Sequence, residues 1–176
     1  MVLVNLSMGN NWRIHCLQIK LTQITETMNY DYLKNEKSPK LLVEAVKMIG
    51  TKEIVGPKHN PEILRWAKVV GLDKVYKQDE IPWCGLAMAY AAHMAGVEVV
   101  KDPLWALNWA KYGEATPEPM LGDILTFKRN GGGHVGIYVG EDDDCYHVLG
   151  GNQGNAMNVT RILKTRLYRA RRTKWK

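Results

Sequence analysis

The stretch G-D-I-L-T-F-K-R-N-G-G-G-H-V-G-I-Y-V-G, residues 122–140, decides the fold class. It holds two apolar runs, 122–127 and 134–139, and the second alternates between faces as a half-buried strand does. Three more strand-like runs follow. The five predicted strands are 122–127, 134–139, 144–149, 156–161 and 165–170. Their succession predicts a meander, an antiparallel sheet of about five strands.

Four helices are predicted before the strands, from the caps, prolines and glycines that bound them. Ser38, Asn60 and Asp102 are expected to cap three of these helices, and a proline follows each of them. Trp105 and Trp109 are one helical turn apart and are expected in the core. Helices followed by a meander predict an α+β fold. The four predicted helices run from Pro39 to Gly50, from Pro61 to Gly71, from near Pro82 to Gly96, and from Pro103 to Gly113.

Length and composition are those of an ordinary globular protein. The chain has 176 residues, of which 45% are hydrophobic and 24% are charged. This length suits one hydrophobic core and leaves little room for a second. We expect residues 1–36 to be a poorly determined N-terminal extension, 37–172 a single domain, and 173–176 a basic tail. The composition excludes collagen, coiled coils and wholesale disorder. The chain lacks a run of about 18 apolar residues, which excludes a membrane span.

The cysteines and the N-terminal sequence indicate in which cellular compartment the protein is made. Cys16, Cys84 and Cys145 make an odd count without a C-x-x-C pair, which argues against a disulfide framework and a zinc ribbon. The opening M-V-L-V-N-L-S-M-G-N-N-W-R lacks the basic region and cleavage site of a secretory signal. We therefore expect synthesis in a reducing cytoplasm, and any action outside would need release or export by other machinery.

The net charge of +6 is concentrated near the C-terminus. Residues 161–176 carry eight Lys and Arg and no acid, whereas residues 1–160 sum to −2. Such a segment can bind nucleic acid, a membrane surface or an anionic wall polymer. The alternative is a solvated edge strand with a frayed end.

Cys84 and His134 form the candidate catalytic pair. Cys84 lies at the start of a predicted helix, where the helix dipole favours a thiolate. His134 opens a predicted strand directly after three glycines, so its ring is expected at a sheet end with little bulk around it. A cysteine at a helix tip facing a histidine on the adjacent sheet suits nucleophilic acyl transfer. The alternative is a core cysteine and a hydrogen-bonded histidine.

The strings P-W-C-G (82–85), G-D-I-L-T-F (122–127) and G-H-V-G-I-Y-V-G (133–140) resemble the papain-like cell-wall hydrolases, the CHAP and NlpC-type families. V-L-G-G-N-Q (148–153) and G-T-K-E-I-V-G-P-K-H-N-P (50–61) are similar to a phage- and prophage-associated subgroup. The resemblance covers about residues 40–170. It implies a papain-like fold, a cysteine nucleophile, a histidine base, a polar residue that orients the histidine, and peptidoglycan as the substrate.

Carried to this chain, the resemblance implies Cys84 as nucleophile and His134 as general base and later acid. The third role has two candidates. Asn152, in G-G-N-Q, matches the asparagine of CHAP members, and His147 lies close to the third histidine of NlpC-type members. On a regular strand the two would face opposite sides, so both cannot point at His134. Asn152 is favoured because its string is the more distinctive match.

The expected function is bacteriolytic hydrolysis of peptidoglycan, as in a phage endolysin. The cysteine peptidase or amidase would cut the stem peptide or the N-acetylmuramoyl-L-alanine amide, without a metal or an organic cofactor. The alternative is a non-catalytic module that binds the wall or an anionic polymer on a hydrolase scaffold. A nucleic-acid partner is not expected because only charge supports one. We expect a monomer.

Overall fold

The structure is a computed structural model that describes residues 30–34 and 37–172. Contacts divide the chain into two compact units, Met1–Tyr32 and Leu33–Lys176. Of the predicted extension, 1–36, only 30–34 is described, and it includes a 3-10 turn at Asp31–Lys34. The predicted tail, 173–176, lies outside the described residues.

The second unit has helices first and then a sheet. Its described α-helices are α1 (Lys40–Val46), α2 (Pro61–Val69) and α3 (Cys84–Met94). Its described strands are β1 (Glu114–Ala115), β2 (Ile124–Arg129), β3 (Gly132–Glu141), β4 (Cys145–Gly150), β5 (Asn158–Leu163) and β6 (Leu167–Arg172). They form one antiparallel sheet in the order β1-β6-β2-β3-β4-β5. The α+β prediction is confirmed, and the two-residue β1 is added to the five predicted strands.

The helix starts follow local backbone chemistry. Asn60 caps α2 as predicted, because its side chain accepts a 2.8 Å hydrogen bond from the backbone N–H of Glu62. The predicted cap of α1 is wrong by one residue. Pro39, not Ser38, occupies the cap, since the backbone of Pro39 is extended. Among the described residues, no helix has both the length and the apolar character needed to cross a bilayer.

The predicted fourth helix is wrong. The segment contains a 3-10 helix, Ala106–Lys111, and Asp102 does not cap it. The carbonyl oxygen of Pro103, which in an α-helix would accept from the backbone N–H four residues on, instead accepts the indole N–H of Trp109 at 2.9 Å. Trp109 is fully buried as expected, but Trp105 is 73% exposed. This side-chain bond therefore competes with a regular helix.

Helix α3 is the central helix of the fold. Its residues from Cys84 to Ala92 are all buried, and it packs against α1, α2 and β3. A row of fully buried side chains, Ile124, Ile137 and Leu149, runs across β2, β3 and β4. A separate core cluster comprises Leu125, Phe127, Val148, Ile162 and Ala170. This packing fixes α3 against the strand that carries His134.

Gly85 sets how closely α3 approaches the segment before the 3-10 helix. A Cβ atom there would clash with the backbone oxygen of Pro103 and would lie 2.7 Å from that of Leu104. Backbone atoms cannot rotate away as the end of a side chain can. We expect Gly85→Ala to lower the free energy of unfolding by about 2 kcal/mol or more, as overpacking does, measured by urea denaturation.

The matched control is Gly132→Ala. Gly132 also lies in a regular element, and a Cβ there would meet nothing within 4 Å. Equal stabilities of the two variants would contradict the close approach at Gly85.

Candidate active site

Cys84 is the first residue of α3, and its side chain is buried. The residue is only 3% exposed. Burial raises the pKa of the thiol. Weaker effects lower it, namely the backbone N–H of Val135, the charge of Arg129, and the backbone N–H groups of Gly85 and of Cys84 itself. The helix terminus does favour the thiolate as predicted, but desolvation outweighs it. The thiol is therefore neutral at neutral pH, which corrects the expected thiolate.

His134 lies on β3, directly before Val135, whose backbone N–H lowers the pKa of the Cys84 thiol. The residue is 3% exposed. Burial lowers the pKa of His134 to about 4. The charges of Arg129 and Arg166 lower it further, whereas the hydrogen bond to the Gln153 oxygen raises it. The imidazole is therefore neutral at neutral pH.

Both ring nitrogens of His134 have partners. The Arg129 guanidinium donates to Nδ1 at 2.7 Å. Nε2 lies 2.9 Å from the side-chain oxygen of Gln153. Cys84 is thus beside the histidine backbone, while the ring nitrogens are engaged by an arginine and an amide.

Gln153 determines the tautomer of His134. Its amide nitrogen donates to the carbonyl oxygens of Val148 at 3.0 Å and Asn158 at 2.6 Å. These acceptors fix the amide orientation, so the Gln153 oxygen faces His134 and can only accept. Nε2 must therefore carry the proton, and Nδ1 carries the lone pair. The arginine on Nδ1, which can only donate, agrees with this assignment.

The structure does not support Asn152 as the residue that orients His134. The Asn152 side chain instead donates to Glu53 at 3.2 Å. The strand ends at Gly150, and Asn152 lies beyond it in a left-handed turn with φ +57°. The alternation assumed for a regular strand therefore does not extend to this residue, and the next residue, Gln153, reaches the ring.

His147, the second candidate, is also placed elsewhere. Its Nε2 lies 2.8 Å from a carboxylate oxygen of Asp142. The same carboxylate accepts two hydrogen bonds from Arg161, at 2.6 and 2.9 Å. These bonds hold the pKa of Asp142 far below its usual value, with Arg161 as the main cause. Through Asp142 this network links β4 to β5, and it does not orient His134.

Gln153 was not among the predicted site residues, although it lies in one of the strings that carry the resemblance. Gln153 is the last letter of V-L-G-G-N-Q (148–153). An isolated bridge joins Lys52, in the other subgroup string (50–61), to Ala156, three residues after this string ends. Glu53, in that second string, accepts from both Asn152 and the Trp83 indole. The two strings therefore meet beside the site, as a scaffold for the residues around Cys84.

Two cavities flank the pair. Cys84 lines one of about 470 Å³, together with Trp105 and the glycines that precede His134. His134 lines the other, of about 430 Å³, together with Gln153. Arg129 and Asn152 line both cavities. Among the described residues, no group of three or more His, Cys, Asp or Glu is arranged to hold a metal ion.

Comparison with models of known protein families gives no match for this chain. A search of curated proteins also finds no match. The functional interpretation therefore depends on the residues of this chain and on their geometry.

The low pKa of His134 predicts acid sensitivity of the fold. The unfolded chain takes up a proton as the pH falls through about 6.5, the ordinary value, whereas folded His134 does so only near 4. Stability is therefore lost as the pH falls across this window. The loss due to His134 should be about 3 kcal/mol, measured as the free energy of unfolding at pH 7 and pH 4.

His134→Asn removes this titration and should show a correspondingly smaller loss. The matched control is His93→Asn, which removes an exposed imidazole of α3 and leaves His134 in place. An identical pH dependence in wild type and His134→Asn would contradict the assignment.

Proposed function

We propose that this protein is a peptidoglycan hydrolase with a papain-like fold that cleaves an amide bond by Cys–His acyl transfer. One observation carries the proposal. Gln153 holds His134 in the tautomer whose Nδ1 carries no proton and can accept one once Arg129 leaves it. The backbone N–H of the next residue on the strand, Val135, favours the Cys84 thiolate by lowering the pKa of the thiol.

The architecture supports the same proposal. The candidate nucleophile begins a central, buried helix. The candidate base comes from β3 of the antiparallel sheet packed on that helix, and the amide that orients it comes from the turn after β4. These positions follow the order that the resemblance to CHAP and NlpC-type hydrolases implies, with Gln153 in the third role.

In the proposed acylation, the Cys84 thiol gives its proton to Nδ1 of His134 while the sulfur attacks the scissile carbonyl carbon. The backbone N–H of Cys84, at the start of α3, is placed to stabilise the resulting oxyanion. His134 then gives the proton to the leaving amine, the C–N bond breaks, and a thioester remains.

In deacylation, a water molecule loses a proton to Nδ1 and attacks the thioester. The C–S bond breaks, the proton on Nδ1 returns to the sulfur, and the product leaves as a carboxylic acid that loses its proton to solvent. Throughout, Nε2–H stays hydrogen-bonded to the Gln153 oxygen, which stabilises the transient imidazolium. Because thiol and imidazole are both neutral at neutral pH, proton transfer accompanies the attack instead of preceding it.

A second candidate function is a non-catalytic module that binds the wall or an anionic polymer. The observation in its favour is that Arg129 occupies Nδ1 while the Cys84 thiol is buried and its pKa is raised. In this arrangement the base has no free lone pair. The two candidates differ in whether Arg129 leaves Nδ1 when substrate binds.

The proposed substrate lies outside the cytoplasmic membrane, so the enzyme would act after release or export by other machinery. The basic segment 161–176 is proposed to help it reside on anionic wall or membrane surfaces. Part of this charge is already used within the fold. Arg172 pairs with Asp123 at 3.0 Å, and Arg161 pairs with Asp142 at 2.6 Å.

The proposal predicts that Cys84→Ala abolishes the release of fragments from purified peptidoglycan, because the nucleophile is lost. We expect a loss of about 10⁴-fold or more. Fragments are identified by mass spectrometry, and their masses distinguish a stem-peptide cut from a sugar–peptide cut. The matched control is Cys145→Ser, since Cys145 is also a free, buried cysteine. It should keep near-wild-type activity.

The same digest compares the two candidates for the third residue. Gln153→Ala should lower kcat/KM by about 10²-fold because the ring loses its orientation, whereas Asn152→Ala should have a much smaller effect. If folded wild type releases nothing from several wall types, the hydrolase proposal is wrong, and the binding module takes its place.

A further inference from the structure

Arg129 connects the two halves of the candidate site. It is the last residue of β2 and lines both cavities. Its guanidinium donates to Nδ1 of His134 at 2.7 Å, and its charge also acts on the Cys84 thiol. The cation therefore lies beside both proposed reacting groups.

The cavity beside His134 is electropositive. Arg129, Arg161 and Arg166 line it, and its lining includes no Asp or Glu. Arg161 is already paired with Asp142 outside this lining. In the part of the chain that the structure describes, neither Arg129 nor Arg166 has a carboxylate within ion-pair distance. Two uncompensated cations therefore face the cavity.

A neutral imidazole is a weaker partner for a guanidinium than an anion is. Arg forms charge-assisted, bidentate hydrogen bonds with carboxylates, and these are about twice as strong as neutral ones. An anionic group that entered the cavity would therefore draw Arg129 away from Nδ1. Its departure would free the lone pair that the proposed reaction needs.

We propose that Arg129 is a specificity-determining residue that binds a carboxylate of the substrate next to the scissile amide and thereby releases Nδ1 of His134. The inference rests on the proposed hydrolase function. It identifies the substrate class as peptides with a free carboxylate beside the cleaved bond, in preference to their amidated counterparts. A carboxylate is favoured over a phosphate because the group must lie within reach of the amide that Cys84 attacks.

The first test does not depend on hydrolysis. Cys84 is alkylated with anionic iodoacetate or neutral iodoacetamide, and modification at this residue is followed by peptide mapping. The rate ratio of iodoacetate to iodoacetamide should fall about tenfold in Arg129→Gln, because the cation that attracts the carboxylate is lost.

The matched control is Lys128→Gln, which removes the same charge one residue earlier. The Lys128 ammonium lies 4.4 Å from the ring centre of Tyr168 and does not line either cavity. Its ratio should stay within about twofold of wild type, since exposed charges at a distance are screened by salt. An equal fall in both variants, or no fall in Arg129→Gln, would overturn the proposal.

The second test uses a pair of cell-wall peptides that differ only in a free or an amidated carboxylate beside the scissile bond. Wild type should cleave the free acid with at least about tenfold higher kcat/KM, and Arg129→Gln should lose that preference. If both peptides are cleaved equally by wild type, the Arg129 proposal is wrong and the hydrolase stands. If neither reagent alkylates Cys84, the comparison of these two peptides tests the proposal instead.

A combined outcome separates the two proposals. If the alkylation ratio depends on Arg129 and neither peptide is cleaved, the anion site stands and the hydrolase does not. Finally, polyphosphate and a peptide dicarboxylate are compared as protectants of Cys84. Stronger protection by polyphosphate would assign the cavity to a phosphate polymer and overturn the carboxylate specificity.

Discussion

The candidate site depends on how the amide of Gln153 is held. Its nitrogen donates to two backbone carbonyls, those of Val148 and Asn158, so its oxygen has one possible orientation. That oxygen forces the proton of His134 onto Nε2 and leaves Nδ1 unprotonated, where it accepts from Arg129. The sheet thus sets the protonation chemistry of a buried ring through a single side chain. Strand pairing of β4 with β5 is what keeps the two carbonyls in register.

Burial keeps both proposed reacting groups uncharged. It raises the pKa of Cys84 and lowers that of His134, so both groups are neutral and the ion pair expected from the helix terminus does not form. Arg129 also keeps His134 neutral, because its guanidinium would repel a protonated imidazole. In our account, the substrate supplies the countercharge, which links recognition to the availability of the base.

The sequence predicted the fold class and most elements, because capping residues and alternating runs act locally. Asn60 capped its helix as expected, and the five strands were found in order. The prediction of the fourth helix failed because the Trp109 indole takes the Pro103 carbonyl that a helical backbone N–H would use, and capping residues do not reveal such a side-chain bond. Cys84 and His134 were chosen from motifs, but no local pattern predicts that a turn after Gly150 brings Gln153, and not Asn152, to the ring. Nor does any local pattern predict the hydrogen bond from Arg129 to Nδ1 of His134.

The most direct test of this account is nitrogen NMR of the His134 ring in the empty protein, assigned with His134→Asn. We predict a protonated Nε2 and an unprotonated Nδ1 throughout the neutral range, with titration only near pH 4. A protonated Nδ1, or titration near the ordinary histidine value of about 6.5, would contradict the chain of hydrogen bonds from Gln153 to Arg129 on which the account rests.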